Sequence, residues 1–294
     1  MIQVPLFKAQ TEWVPPQDFP DLSKHDEIAI DLETKDPDLI KMGSGSISKN
    51  GDITGIAVAV KDWSGYYPIA HEGGGNMDRK KVLKWFQGVL NTPATKIFHN
   101  AMYDVCWIKS IGLKINGKIV DTMIAAAIVD ENQMRYDLNN CSRRYIGQGK
   151  DEAALYQAAK DWGIDAKAEM YKLPAMYVGS YAEKDAELTY ELWQELKKEI
   201  LHQDIRSIFD LETELFPCLV DMRFLGVRVD VEAAHKLKEE LIEEEKELLQ
   251  KVKKESGVDT QIWAARSIAQ VFQKLDLPYD TTEKPNSPSF TKNF

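Results

Sequence analysis

Asp31-Leu-Glu33 closes a short apolar run, Glu27-Ile-Ala-Ile-Asp31. Residues two apart on an extended strand point to one side, so both carboxylates face the same way at a strand end. Two such acids can share a divalent cation, and a cation beside an ester group is one means of hydrolysing it. The triplet alone is a weak signal. Asp185–Glu187, Asp210–Glu212 and Asp230–Glu232 have the same spacing, and the tetrapeptide DLET recurs at 210–213. Its second copy sits in FDLETELFPCLVDM, whose apolar spacing is helical, so those acids are expected on a solvated helix face.

Two further segments carry polar groups in usable places. His99-Asn-Ala-Met-Tyr-Asp104 follows the short apolar run Thr95–Phe98. Side chains at a strand-to-helix junction can face a ligand beyond the strand ends, although Asn100 also suits a plain helix cap. Tyr181-Ala-Glu-Lys-Asp185 has a four-residue spacing that puts tyrosine and acid on one helix face. A buried tyrosine beside a surface acid would look the same.

The elements that must position these groups follow from periodicity. Glu27–Asp31, Ile53–Val60 and Tyr66–Ala70 read as an antiparallel meander, with a turn at Asp62-Trp-Ser-Gly65. Met77–Leu90 has helical spacing, Thr95–Phe98 is a strand, and Ala101–Ile111 reads as the helix after it. Asp121-Thr122 looks like a helix start, and 136–147, 151–162 and 180–200 are helix-compatible. Strands, then alternation, then helices imply an α/β (α+β) domain: a mixed sheet flanked by helices. Residues 1–25, with prolines at 15, 16 and 20, read as an arm over the surface. Composition shifts near residue 203. Beyond it, Gly226-Val-Arg-Val-Asp230 is a short strand or turn, and Ala233–Lys254 is a long charged helix with a solvated face. The organisation read here is an arm at 1–25, a main domain at 26–203 and a helical region at 204–294.

The 294 residues, 44% of them hydrophobic, suffice for one large or two smaller cores. No apolar stretch approaches the ~20 residues that cross a bilayer, and the first residues lack a secretion signal. Cys106, Cys141 and Cys218 are odd in number and far apart, which argues against a disulfide framework or a zinc site and for a reducing, cytoplasmic location. The net charge of −10 speaks mildly against a nucleic-acid partner, because phosphate contacts come from Lys and Arg. A local acidic cluster that recruits cations removes part of that objection.

Order and residue type together are more specific than any one segment. D-x-E on a first strand, N-x-x-Y-D after a later strand and Y-x-x-x-D on a later helix resemble the three exonuclease motifs of the DEDD superfamily. The tyrosine four residues before Asp185 marks the DEDDy subclass; the DEDDh subclass would carry histidine where Ser180 stands. Residues 26–203 resemble the proofreading domain of family A (DNA polymerase I type) polymerases, with a ribonuclease H-like fold, and phage members look most similar. Lys118-Ile-Val-Asp121-Thr-Met matches a family segment. FPCLVDMRFLGVRVD resembles the join to the polymerase, and IWAARSIAQVFQKLDLP resembles part of a thumb. The palm aspartates and fingers helix of the family are absent, so a chain that does not itself polymerise is expected.

The resemblance implies a 3′→5′ exonuclease that removes nucleoside 5′-monophosphates from single-stranded or frayed DNA 3′ ends. Two divalent cations would serve it, Mg²⁺ with Mn²⁺ as a substitute. Asp31 would bridge both, Glu33 and Asp185 would complete one site, and Asp104 would hold the other through water. Tyr181 would orient the attacking water, and Thr34, Asn100 and Tyr103 would meet the terminal nucleotide. Arg143, Arg144 and Lys150 form a small basic cluster that could grip the strand but equally reads as surface charge. Trp162 and Tyr171 are aromatics of the kind that stack on bases, yet such residues are more often core. Three rival readings remain: a free-standing DEDDy ribonuclease similar to ribonuclease D, a non-catalytic docking module, and a subunit that works with a separate polymerase chain. For a phage protein the location would be the host cytoplasm.

Overall fold

The computed structural model describes residues 11–150, 152–282 and 287–290. The chain folds as two units, the first ending at Gly226 and the second starting at Val227.

The first unit is built on a five-stranded mixed sheet. Its elements are β1 (Glu27–Lys35), two single-turn helices α1 (Leu39–Met42) and α2 (Gly45–Ser48), β2 (Asp52–Val60), β3 (Trp63–Pro68), α3 (Arg79–Asn91), β4 (Thr95–Phe98), α4 (Ala101–Ser110), β5 (Ile119–Asp121), α5 (Thr122–Val129), α6 (Leu138–Tyr145), α7 (Ala153–Trp162), α8 (Gly179–His202) and α9 (Arg206–Leu225). The strand order is β3-β2-β1-β4-β5. β1, β2 and β3 form the expected antiparallel meander, and β4 and β5 run parallel to β1. The three-residue β5 is an addition to the expected strands.

Alternation on β1 sorts its side chains between two cores. Ile28, Ile30 and Leu32 face α3 and α4 in one cluster. Ala29 faces the other cluster, with Ala57, Ala59 and residues of α5 to α8. Asp31 and Glu33 continue the row begun by Ala29. Alanines on the sheet meet Ala182 and Ala186 on α8, all fully buried or nearly so. Small side chains on both surfaces allow a close approach of helix and sheet.

Polar clips fix α8 along its length. Glu183 accepts the Tyr66 amide at 3.0 Å and Glu187 accepts the Ser64 hydroxyl at 2.7 Å, which covers the outer edge of β3. Near its other end Glu27, the first residue of β1, accepts Trp193 Nε1 at 2.9 Å and Lys197 Nζ at 2.8 Å.

The composition shift near residue 203 does not coincide with the edge of this unit. Phe209, Phe216 and Val220 of α9 are buried in its two cores. Of the arm, residues 11–25 are described. Trp13 packs on Tyr66 with ring centroids 5.9 Å apart, Phe19 stacks on Tyr67 and Leu22 is buried, so these residues lie along the sheet domain.

The second unit holds α10 (Val231–Ser256), α11 (Ala265–Lys274) and a short antiparallel pair, β6 (Asp280–Thr281) with β7 (Pro288–Ser289). α10 buries none of its residues, as its charge run suggested. Residues 226–230 form no regular element, contrary to the strand or turn expected there.

Candidate active site

β1 outruns its neighbour. On β1, β4 pairs only with Glu27, Ile28 and Ala29. Beyond Ala29 that edge of β1 is open, at the carboxyl ends of the two parallel strands, where open sheets present ligand clefts. The backbone group left over is taken up by a side chain: the Leu32 amide donates to Asp104 Oδ1 at 2.9 Å. Asp104 comes from the first turn of α4 and is buried. On the other edge the β1–β2 register slips between Glu33 and Thr34, a bulge that leaves Thr54 of β2 without a partner on β1. Opposite Glu33 stands Gly55. A Cβ there would lie 2.0 Å from the Tyr66 hydroxyl, so only glycine lets that ring lie beneath the site.

Asp31, Glu33 and Asp185 offer carboxylate oxygens that all lie within 4.8 Å of one another. Asp104 stands outside this group of three but feels the Asp31 charge. Burial, then the Asp185 charge, push the Asp31 carboxyl up to about 7. Burial raises Glu33 well above the ordinary carboxylate range, and Asp31 and Asp185 add to it. Burial also raises Asp104 and Asp185; for Asp185 the nearby Lys150 opposes the rise. Crowded, partly desolvated acids, with Asp31 and Glu33 half-buried and Asp185 buried, are poorly accommodated as anions alone. Asp185 Oδ1 is moreover buried with no hydrogen-bond partner. An oxygen-rich donor set with an orphaned carboxylate oxygen fits a hard divalent cation.

Tyr181 lies one turn before Asp185 on α8, and its phenol is raised by burial and by Asp185. Lys150 Nζ donates to Asp185 Oδ2 at 2.5 Å and to the Tyr181 hydroxyl at 3.2 Å. The basic cluster of the sequence is thereby divided. Arg144 pairs with Asp130, Arg143 is exposed, and Lys150 turns inward, its side chain 15% exposed. Sequence proximity to two surface arginines concealed this residue.

Asn100 occupies the N-cap position of α4 in a left-handed conformation (φ 66°), is exposed, and makes no side-chain cap hydrogen bond. Its backbone is held instead by Asp121, which accepts the Asn100 amide at 3.0 Å, the Ala101 amide at 2.8 Å and the Met123 amide at 2.8 Å. Asp121 thus ties two helix starts together beside the cleft, whereas its sequence context showed only one. Thr34 and Tyr103 meet each other. Tyr103 donates to Asp36 at 3.0 Å, so the Thr34 hydroxyl donates to Tyr103, at 2.7 Å. Trp162 and Tyr171 are buried, 8% and 7% exposed, and belong to the packing rather than to a stacking surface.

A family model described as 3′-5′ exonuclease, that of the A-type DNA polymerases, matches residues 19–201. The chain belongs to this 3′-5′ exonuclease family. It is 34% identical over 97% of its length to a DNA-directed DNA polymerase of Pseudomonas phage M6, and 29% identical over 74% to the DNA polymerase DpoZ of Salmonella phage PMBT28. It spans 45% and 34% of those relatives' own lengths. Among solved structures it is similar to the POL domain of Pol1 from M. smegmatis in complex with DNA primer-template and dNTP, with a TM-score of 0.63 and 15% identity, over 92% of this chain and 41% of that one. It is also similar to Brucella melitensis NrnC with bound Mg²⁺, with a TM-score of 0.51 and 16% identity, over 72% of this chain and 92% of that one. The mixed sheet flanked by helices is thus a ribonuclease H-like fold. Membership makes the chain a nuclease of the 3′-5′ exonuclease type that acts at nucleic-acid 3′ ends. Among the described residues no helix is long and apolar enough to cross a membrane.

Proposed function

We propose that the chain removes nucleotides one at a time from single-stranded or frayed DNA 3′ ends as the proofreading part of an A-type DNA polymerase. The observation that carries this reading is the convergence of Asp31, Glu33 and Asp185 beside Tyr181 in a chain of the 3′-5′ exonuclease family. In this reading Asp31, Glu33 and Asp185 hold divalent cations, Mg²⁺ or Mn²⁺, and Asp104 serves a second cation. Cations bound there would supply charge stabilisation at the phosphate and a more acidic water.

The protein's own groups do the rest. Tyr181 orients the attacking water through its hydroxyl. Its raised pKa keeps it protonated, so it donates or accepts a hydrogen bond rather than removing a proton. The water oxygen attacks phosphorus, the bond from phosphorus to the 3′ oxygen breaks, and that oxygen takes up a proton. The products are a nucleoside 5′-monophosphate and a strand shortened by one residue. Thr34, Asn100 and Tyr103 line the place for the terminal nucleotide: Asn100 offers an exposed amide, and the Thr34–Tyr103–Asp36 chain offers a fixed polar wall. No base edge is read in this scheme, so sequence preference is low.

Polymerase relatives favour DNA over RNA as the substrate. A polymerase that delivers the 3′ end, in the same chain or a separate one, belongs to the same reading, as does a place in the cytoplasm of a phage-infected host.

The test is a gel assay on 5′-labelled single-stranded DNA with and without Mg²⁺, with RNA of the same sequence in parallel. A Mg²⁺-dependent ladder that Asp31→Ala abolishes is expected, with DNA degraded faster than RNA. Equal degradation by wild type and variant would overturn the proposal.

A further inference from the structure

One charged side chain at the site has no part in the scheme above. Lys150 lies between α6 and α7, and its backbone amide is anchored by Asn139 Oδ1 at 3.0 Å. Its ammonium sits 5.1 Å from the centre of the Tyr181 ring and reaches the Tyr181 hydroxyl and Asp185 Oδ2. The Asp185 carboxylate is therefore used unequally. Oδ2 has a cationic partner, whereas Oδ1 is buried and has none.

We propose that Lys150 is a positioning residue that divides the Asp185 carboxylate, holding Oδ2 so that Oδ1 is presented singly to a divalent cation, and that fixes the Tyr181 hydroxyl beside it. This rests on the function proposed above and adds how the last acid and the tyrosine keep their orientation. A carboxylate gripped at one oxygen cannot swing to chelate through both. Tyr181 and Asp185 are one helical turn apart, so a single ammonium bridging them sets both side chains at once. The same charge acts as resident counter-ion for the three acids when no metal is bound. A lysine that only gripped the DNA backbone would point outward; this one is nearly as enclosed as the acid it holds, with side chains 15% and 5% exposed.

The two roles separate experimentally. Thermal melts of the whole chain are recorded in EDTA and across a Mn²⁺ titration, without DNA, for wild type, Lys150→Met and Lys150→Arg. Lys150→Met is expected to melt lower in EDTA and to gain more from Mn²⁺ than wild type, because the metal then supplies the cation that the crowded acids have lost. Lys150→Arg is expected to melt near wild type in EDTA. On 5′-labelled DNA, Lys150→Met should lose roughly 10- to 100-fold in kcat through misplacement of the site, with KM changed by no more than about twofold. Lys150→Arg should recover part of that loss.

Unchanged melting in EDTA with an unchanged Mn²⁺ response, or a defect confined to KM, would overturn the proposal. If Lys150→Met does not fold, the kinetics of Lys150→Arg decide: a partial loss in kcat with KM near wild type supports the proposal, and a defect confined to KM or none at all overturns it. Because the melts need no DNA, a wild-type chain without exonuclease activity would overturn the function reading while leaving Lys150 testable.

Discussion

Asp-Leu-Glu-Thr stands at 31–34 and again at 210–213, and the two copies behave as different chemical objects. On β1 the alternation sends both acids to the α8 side and Leu32 into the opposite core, 6% exposed. On α9 a step of two residues turns about 200° around the axis, so the acids diverge, and Leu211 is 64% exposed. Asp31 has acidic neighbours and is raised to about 7, chiefly by burial. Asp210 is lowered, first by its hydrogen bond from Lys118, and it also pairs with Arg206. Thr34 takes part in a side-chain relay with Tyr103 and Asp36, whereas Thr213 donates back to the Phe209 carbonyl of its own helix at 2.8 Å. The backbone form that carries the acids and the groups brought up to them decide whether four identical residues join a convergent acidic cluster or make a surface clasp.

The largest contrast should be in catalysis. Asp31→Ala is expected to lower single-turnover cleavage of 5′-labelled DNA by roughly 1000-fold or more, through loss of charge stabilisation at the phosphate. Asp210→Ala should leave it unchanged. Comparable losses in both would erase the distinction between the copies. Tyr181→Phe should cost about 100-fold, as expected when a reacting group loses its alignment. A fully active Tyr181→Phe enzyme would remove the tyrosine from the reaction.

Metal response comes next. Millimolar Mg²⁺ or Mn²⁺ should raise the wild-type Tm, by an amount worth about 2.7 kcal/mol at a hundredfold excess over Kd. Asp185→Asn should lose most of that rise, and Asp210→Asn should retain it. A metal-independent wild-type melt would argue against the carboxylate cluster as a cation site.

The smallest effect has the clearest sign. Asp31 has a folded-state pKa above its unfolded value of 3.8, so the stability linked to it is present below 3.8 and is lost as pH rises through about 7. In EDTA, Asp31→Asn should therefore melt higher than wild type at pH 8 and show little of this gain at pH 4. Asp210 is depressed, so its contribution is present above 3.8 and is lost as pH falls through its folded value. Asp210→Asn should melt lower at pH 8, by less than about 1 kcal/mol for so exposed a pair. Shifts of the same sign in both variants would contradict the contrast.

Much of this was legible in the sequence. The meander, the 95–98 strand and α4, α5 and α8 follow from periodicity. The five acid and tyrosine positions were singled out by their resemblance to three exonuclease motifs, and of the four acids Asp31, Glu33 and Asp185 come together, with Tyr181 one turn before Asp185. What escaped depended on tertiary contact. β5 is three residues long and becomes a strand only by pairing with β4. The place of α9 is set by Phe209, Phe216 and Val220 against cores formed by earlier residues, which a change of composition cannot reveal. Lys150 reads as surface charge until Asp185, 35 residues later, folds over it. Asp104 lies outside the group of three, and the backbone it binds at the open edge of β1 is set only by the folded sheet.

The clamp of Glu27 on Trp193 and Lys197 has a bearing on how mutants of this enzyme should be interpreted. Trp193 is eight residues beyond Asp185 on one helix, roughly 12 Å at 1.5 Å per residue. A helix behaves as a rotary key: slipping by a single residue turns every side chain by about 100°. The clamp is thus the stop that holds the key at the angle where Tyr181 and Asp185 enter the cleft. Damage at this remote stop would register as lost turnover in a protein that still folds, and could be mistaken for damage to the chemistry itself.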